Sequence, residues 1–167
     1  TTDVGPWTNR AWLSVRSVAT RPTEFDLFVR PTGKTGPRFD VTVFGKSVVA
    51  TTDNDVKFAW PEKLRLTEAM VRAARAANVM NQRWFDNGFG TYLALDVLRK
   101  TGLAAPADIG AELTKRSERY FASPWLRTPL SGVMDQKDEL AGVHIEDRGF
   151  FVAAELDAKL RATSAGK

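Results

Sequence analysis

Phe39-Asp40-Val41-Thr42-Val43-Phe44 alternates apolar with polar side chains, and the alternation runs on through Lys46-Ser47-Val48-Val49. Period-two alternation of β-branched and aromatic residues is the pattern of a strand with one buried face. Working outward, Leu13 and Val15 alternate with Trp12, Ser14 and Arg16, and Phe25-Asp26-Leu27-Phe28-Val29-Arg30 shows the same period. Val56-Lys57-Phe58-Ala59-Trp60 closes the set. The separators Arg21-Pro22-Thr23, residues 31–37 (Pro-Thr-Gly-Lys-Thr-Gly-Pro) and Thr52-Asp53-Asn54-Asp55 have turn chemistry. Short links between consecutive strands predict an antiparallel meander of about four strands.

At Pro61 the period changes. From Thr67, read as an N-cap, Met70, Ala73, Ala77, Met80 and Trp84 fall at alternating steps of three and four, which predicts a helix stopping near Asp86-Asn87-Gly88. A second helix is expected from Thr91 to Lys100, with Tyr92, Leu95 and Leu98 inward and Gly102 just past its end. A third runs from Pro106 to about Ala122 before Pro124, with Ile109, Leu113 and Tyr120 on one side. Ser123 to Gly132 reads as an ordered loop. Val143 to Val152 reads either as a hairpin turning at Asp147-Arg148-Gly149 or as a short strand leading into a helix from Phe151 to about Ala162; the second is favoured. The expected fold class is therefore α+β: an N-terminal antiparallel sheet of about four strands followed by three to four helices. A length of 167 residues fits a single domain, strand-rich over 8–60, helix-rich over 61–122 and mixed over 123–167.

Composition removes most catalytic chemistry. The chain has no cysteine and one histidine, His144, so thiol chemistry, thiolate metal sites and multi-histidine metal sites are excluded. A Ser-His-Asp centre would have to use that one imidazole. His144-Ile145-Glu146-Asp147 is the only cluster with metal-like chemistry, and a lasting site there needs ligands from elsewhere. Asp135-Gln136-Lys137 supplies a fragment of a nuclease centre, and Asp53 and Asp55, which would have to complete it, look like turn residues. Asn87-Gly88-Phe89-Gly90 lacks the lysine and setting of a phosphate loop and reads as a flexible interhelical turn. No catalytic residue, metal or cofactor is expected, and an enzyme is the weakest reading.

Binding chemistry is better represented. The net charge is +4, divided as +2 over residues 1–60, +3 over 61–122 and −1 over 123–167, and arginines outnumber lysines fifteen to nine. Arg65, Arg72, Arg75 and Arg83 lie on or beside the first predicted helix, with Arg72 and Arg75 placed to straddle one phosphate. Between Leu93 and Ala122, a helix ending at Arg99-Lys100-Thr101-Gly102 precedes a short one over 106–113. A basic turn, Thr114-Lys115-Arg116-Ser117, and then Glu118-Arg119-Tyr120-Phe121-Ala122 follow. This run loosely resembles a winged helix-turn-helix, with Arg148 on the wing. The resemblance implies DNA contacts by Lys115, Arg116 and Arg119, exposed together on one ridge, and a phosphate contact by Arg148. Trp12, Phe28 and Phe44 would stack unpaired bases if their sheet face is open.

A non-enzymatic nucleic-acid-binding protein, with DNA among the candidate ligands, is thus the first expectation. The alternative is a protein-protein interaction module or assembly subunit anchored by Trp7, Trp12, Trp125 and Leu126, because Trp and Arg dominate binding hot spots. No apolar run is long enough for a membrane-spanning helix. Thr1 to Pro6 has neither an initiator Met nor a signal pattern, a start that fits a processed mature end as well as a trimmed one; the compartment stays open between the cytoplasm, slightly favoured, and export of a processed chain.

Overall fold

The computed structural model describes residues 4–18, 26–31, 39–52, 58–75, 82 and 84–164. Among them the fold is α+β and mostly helical, with a three-stranded sheet and six α-helices. Contacts divide the chain into two compact units, Thr1–Val79 with Leu93–Pro106, and Met80–Tyr92 with Ala107–Lys167.

The first unit opens with α1, Val4–Val18, where a strand was expected around Leu13. Thr8, Ala11 and Val15 are buried at steps of three and four, while Leu13 is 54% exposed. Leu13 and Val15 would share a strand face; on a helix they point about 200° apart. The local alternation was short enough to fit both periods, and the stripe beginning at Trp7 and Thr8 decides between them.

Strands β1 (Asp26–Pro31), β2 (Phe39–Phe44) and β3 (Ser47–Thr52) follow. The sheet order is β1-β3-β2, with β3 parallel to β1 and antiparallel to β2. The sheet is therefore mixed, and the expected meander is corrected. The run read as one strand through Val49 is a hairpin, turning at Gly45-Lys46 with Gly45 at a φ of +58°, a conformation that suits glycine. β3 takes the centre because it has no exposed position, and Val48 and Ala50 are among the most buried residues of the chain. Of the expected fourth strand, residues 56 and 57 lie outside the described residues, and Trp60 begins a helix.

That helix, α2 (Trp60–Arg75), starts earlier than Thr67 predicted. Glu62 accepts a hydrogen bond from the Ala59 N–H at 3.2 Å, the carboxylate half of a capping box, so the start lies at Ala59. Thr67 sits mid-helix and is buried, its hydroxyl donating to the Lys63 carbonyl at 2.8 Å. Leu66, Ala69, Met70 and Ala73 are fully buried, and α2 packs on α1, β2 and β3. Ala77 and Met80, at the end of the predicted stripe, lie outside the described residues. The next helix, α3 (Gly90–Lys100), matches the expectation and buries Leu95 and Leu98. Gly102, at a φ of +65°, ends it as foreseen: Leu103 N–H donates to Leu98 O and Gly102 N–H to Arg99 O, the paired bonds of a Schellman motif.

In the second unit, Asp86-Asn87-Gly88 does not stop a helix. Trp84–Phe89 forms a π-helical turn that runs straight into α3. Asp86 secures its start by accepting from the Gln82 N–H at 3.0 Å, and Gly88 lies against the backbone of Glu146 and Gly149. Residues 87–90 are thus a packed helical contact, not a flexible turn.

α4 covers Pro106–Phe121 without interruption, so Thr114-Lys115-Arg116-Ser117 is helix and the helix-turn-helix division is overturned. No residue in 107–121 is a breaker strong enough to end a helix. After turns over 123–129 and a short α5 (Leu130–Met134), the chain closes with α6, Glu139–Ser164. This 26-residue helix replaces the hairpin expected over 143–152 and the short strand expected before Phe151, and it contains the helix expected from Phe151 to about Ala162. Ala141, Ile145, Gly149 and Ala153 are buried along it at steps of four. Asp147-Arg148-Gly149 looked like turn chemistry, but Gly149 is there for close approach: the Trp84 carbonyl and Gly88 Cα occupy the space a side chain would need.

Two glycine substitutions separate packing from propensity. Gly110→Ala on α4, where a new methyl meets nothing within 4 Å, is expected to stabilise by up to about 1 kcal/mol. Gly149→Ala forces the Trp84 carbonyl aside and is expected to destabilise by roughly 3 kcal/mol despite the same propensity gain. Urea unfolding of both variants checks the opposite signs.

Candidate functional site

The groups gathered by the fold lie in two places, one in each unit. In the second, Asp147 on α6 has 0% exposure and collects two arginines from α4. Arg116 Nη1 donates to Oδ1 at 3.1 Å; Arg119 donates through Nη2 to Oδ1 and through Nε to Oδ2, both at 2.6 Å. The Arg119 geometry is the bidentate fork that matches a carboxylate. Arg116 also donates through Nε to Glu112, one turn earlier, at 2.8 Å, and its guanidinium lies 5.2 Å from the centre of the Phe150 ring. The hydrogen bond to Asp147 pushes the Arg119 pKa further above its ordinary value, outweighing partial burial.

Next to this network, His144 is 1% exposed and lies flat on Tyr120 of α4, with ring centres 5.0 Å apart and planes within 6°. Neither imidazole nitrogen has a hydrogen-bond partner among the described residues. Burial holds its pKa below the ordinary 6.5; Arg148 adds to that effect and Asp147 opposes it. Burial thus favours the neutral ring over the imidazolium.

In the first unit the sheet has an outer face. Strand alternation and register put Phe28, Val49 and Thr42 in one row, and Asp26, Ser47 and Phe44 in the next. Phe28 is 55% exposed and Phe44 64%. Asp26 and Asp40 are exposed on the same face, and Arg65 reaches Asp40 at 3.4 Å and the Phe39 carbonyl at 3.3 Å. Lys46, in the turn beside Phe44, is also exposed.

Against this geometry the predicted phosphate-binding cations are mostly engaged. Arg116 is buried, so Lys115, Arg116 and Arg119 do not form one exposed ridge; only Lys115 and Arg119 are exposed. Arg148 is half-buried and donates to the Thr128 carbonyl at 2.9 Å. Arg72 and Arg75 are half-buried on α2, and Arg83 lies outside the described residues. The predicted interface anchors are half-buried too. Trp7 packs edge-on to Phe58 at 5.1 Å with Lys63 over its ring, and Trp12 lies 5.9 Å from the Arg16 guanidinium. Trp125 covers the Val133, Ala141 and Ile145 cluster, and Leu126 closes the turn onto the Ser123 carbonyl. Of the aromatic strand positions, Phe28 and Phe44 meet the condition of an open sheet face, whereas Trp12 is on a helix.

Asp147 as a hub was missed because a strand reading pointed it away from His144. Its signal was present on α4: Glu112, Arg116 and Arg119 recur at steps of four and three, the spacing of one charged helix face. Among the described residues no cluster of His, Asp and Glu is arranged to hold a metal ion, and no helix is long and apolar enough to cross a membrane. The chain matches no family model and no curated protein.

Removing the Asp147 charge leaves Arg116 buried beside an uncharged group. Asp147→Asn is expected to cost about 3–5 kcal/mol. Arg119→Ala, at a more exposed partner, is expected to cost less, within roughly 1.5–3 kcal/mol. Chemical denaturation of the two single variants and the double variant measures the coupling directly.

Proposed function

We propose that the chain is a non-enzymatic binding module that takes a protein partner on the outer face of its sheet. The observation that carries this reading is the pair Phe28 and Phe44, both more than half exposed in adjacent rows of one face, with Val49 beside Phe28. Large apolar side chains left in water together mark interaction surfaces, and burying each contributes roughly 1.5–3 kcal/mol. Asp26, exposed on the same face, repels phosphate and favours a polypeptide carrying apolar and cationic side chains, while Asp40 is paired with Arg65. The arginines that would have supported a phosphate-binding surface are largely spent on Asp147, Asp40 and backbone carbonyls.

A second reading, single-stranded nucleic acid stacked on Phe28 and Phe44, has its own support in the exposed Lys46 next to Phe44 and in the net charge of +4. Binding of that kind falls steeply with salt. A Phe28→Ser/Phe44→Ser variant separates the two. Wild-type protein is expected to capture a defined set of proteins from cells that the variant, still folded by circular dichroism, does not retain. Identical capture by both proteins removes the sheet face from consideration. Salt-sensitive anisotropy changes with labelled single-stranded DNA or RNA, lost in the variant, would move the assignment to nucleic acid.

A further inference from the structure

We propose that His144 makes the contact between α4 and α6 an acid-sensitive latch, in which protonation of the imidazole breaks its stack on Tyr120 and releases α4. The argument starts from how the helices meet. α6 touches the π-helical turn backbone against backbone, at Gly88 and Gly149. α4 reaches α6 through long side chains: Arg116 and Arg119 to Asp147, Tyr120 to His144 and Phe151, and Phe121 to Phe151. A contact of that kind has little backbone packing to resist local opening.

His144 is the weak point of this contact. The neutral ring already leaves both nitrogens without a partner. The imidazolium would add a second N–H donor and a full charge, with no acceptor presented to either nitrogen. Among the described residues the charges that act on it are Arg148 and Asp147. On α6, Arg148 is a cation one turn away. Asp147 is the one favourable charge, and its oxygens already accept from Arg116 and Arg119 of α4. Glu146 accepts from Asn87, and Glu112 of α4 is held by Arg116. From α4 the face turned to the imidazole is the Tyr120 ring. The desolvation of the charged ring is relieved when it reaches water, a gain that must exceed the attraction of the imidazolium to the Tyr120 face.

The sign follows by linkage. The closed contact binds a proton less readily than the exposed ring, whose ordinary value is 6.5. Stability of the contact is fully present above that value and falls as the pH drops from there towards the depressed value of the closed form.

Because the chain has one histidine, its imidazole C2–H gives a single assignable NMR signal. The test is a titration of the full chain, following that signal, near-ultraviolet circular dichroism and hydrogen exchange of α4 amides. The expected result is protonation below pH 6.5 with loss of α4 protection over the same interval, while amides of the π-helical turn and the facing part of α6 stay protected. His144→Phe keeps a flat ring that cannot be protonated, and is expected to hold α4 closed down to about pH 4, where carboxylates titrate. Protection of α4 that persists through the imidazole titration overturns the proposal, and that measurement needs only the wild-type chain. Equal loss of protection in wild type and His144→Phe overturns it as well.

Discussion

A carboxylate shut away from water must be given its counter-charges by the fold, and Asp147 is such a group in the second unit. Its demand sets the register between α4 and α6: Arg116 and Arg119, three residues apart on α4, must both face one side chain on α6. Once they do, Tyr120 is carried onto His144, and Phe121 onto Phe151. Replacing such a network by apolar residues is often neutral in stability, so its effect is better described as specificity. An apolar stripe accepts a neighbour at several registers; a bidentate guanidinium on a buried carboxylate accepts one. The opposite face of α6 uses another device, the mutual approach of Gly88 and Gly149.

Those two devices explain which parts of the fold were legible in the sequence. α3 and α4 were read within a residue or so, because each has a continuous 3.6-residue stripe and a conventional end signal, Gly102 for one and Pro106 for the other. The strands at 26–31 and 39–44 were legible for the same reason at period two. The central place of β3 was not, because strand order in a sheet is a long-range choice. Residues 143–152 failed most completely. Asp147-Arg148-Gly149 carries every local mark of a turn. Its helical state comes from partners distant in sequence, Arg116 and Arg119 for the aspartate and Trp84 with Gly88 for the glycine. Asn87-Gly88 misled in the same way.

The same distinction governs the candidate site. The charged face of α4 was visible as Glu112, Arg116 and Arg119, but which anion it serves was not. Read alone, those arginines look available to phosphate; in the fold their anion is Asp147. A formal charge of +4 therefore overstates what the molecule presents to a polyanion, because Arg116 is buried and Arg119, though exposed, is paired with Asp147. The aromatic residues moved in the opposite direction: Phe28 and Phe44, read from the sequence as better suited to core packing than to an open face, stand exposed.

That exchange bears on the kind of molecule this is. A sheet with α2 on one face usually turns a polar surface to solvent on the other. Here β2 obeys the rule at Asp40 and Thr42 and breaks it at Phe44, and β1 breaks it at Phe28. Thr42 and Ser47 complete the surface as small polar groups that do not screen the two rings from an approaching partner. Neither Phe is needed to hold the sheet, whose inner face is already supplied by Val48 and Ala50 under α2. Exposed aromatics with no part in the core lower solubility and invite edge or face association, so their presence on an otherwise largely polar surface supports the proposed binding face.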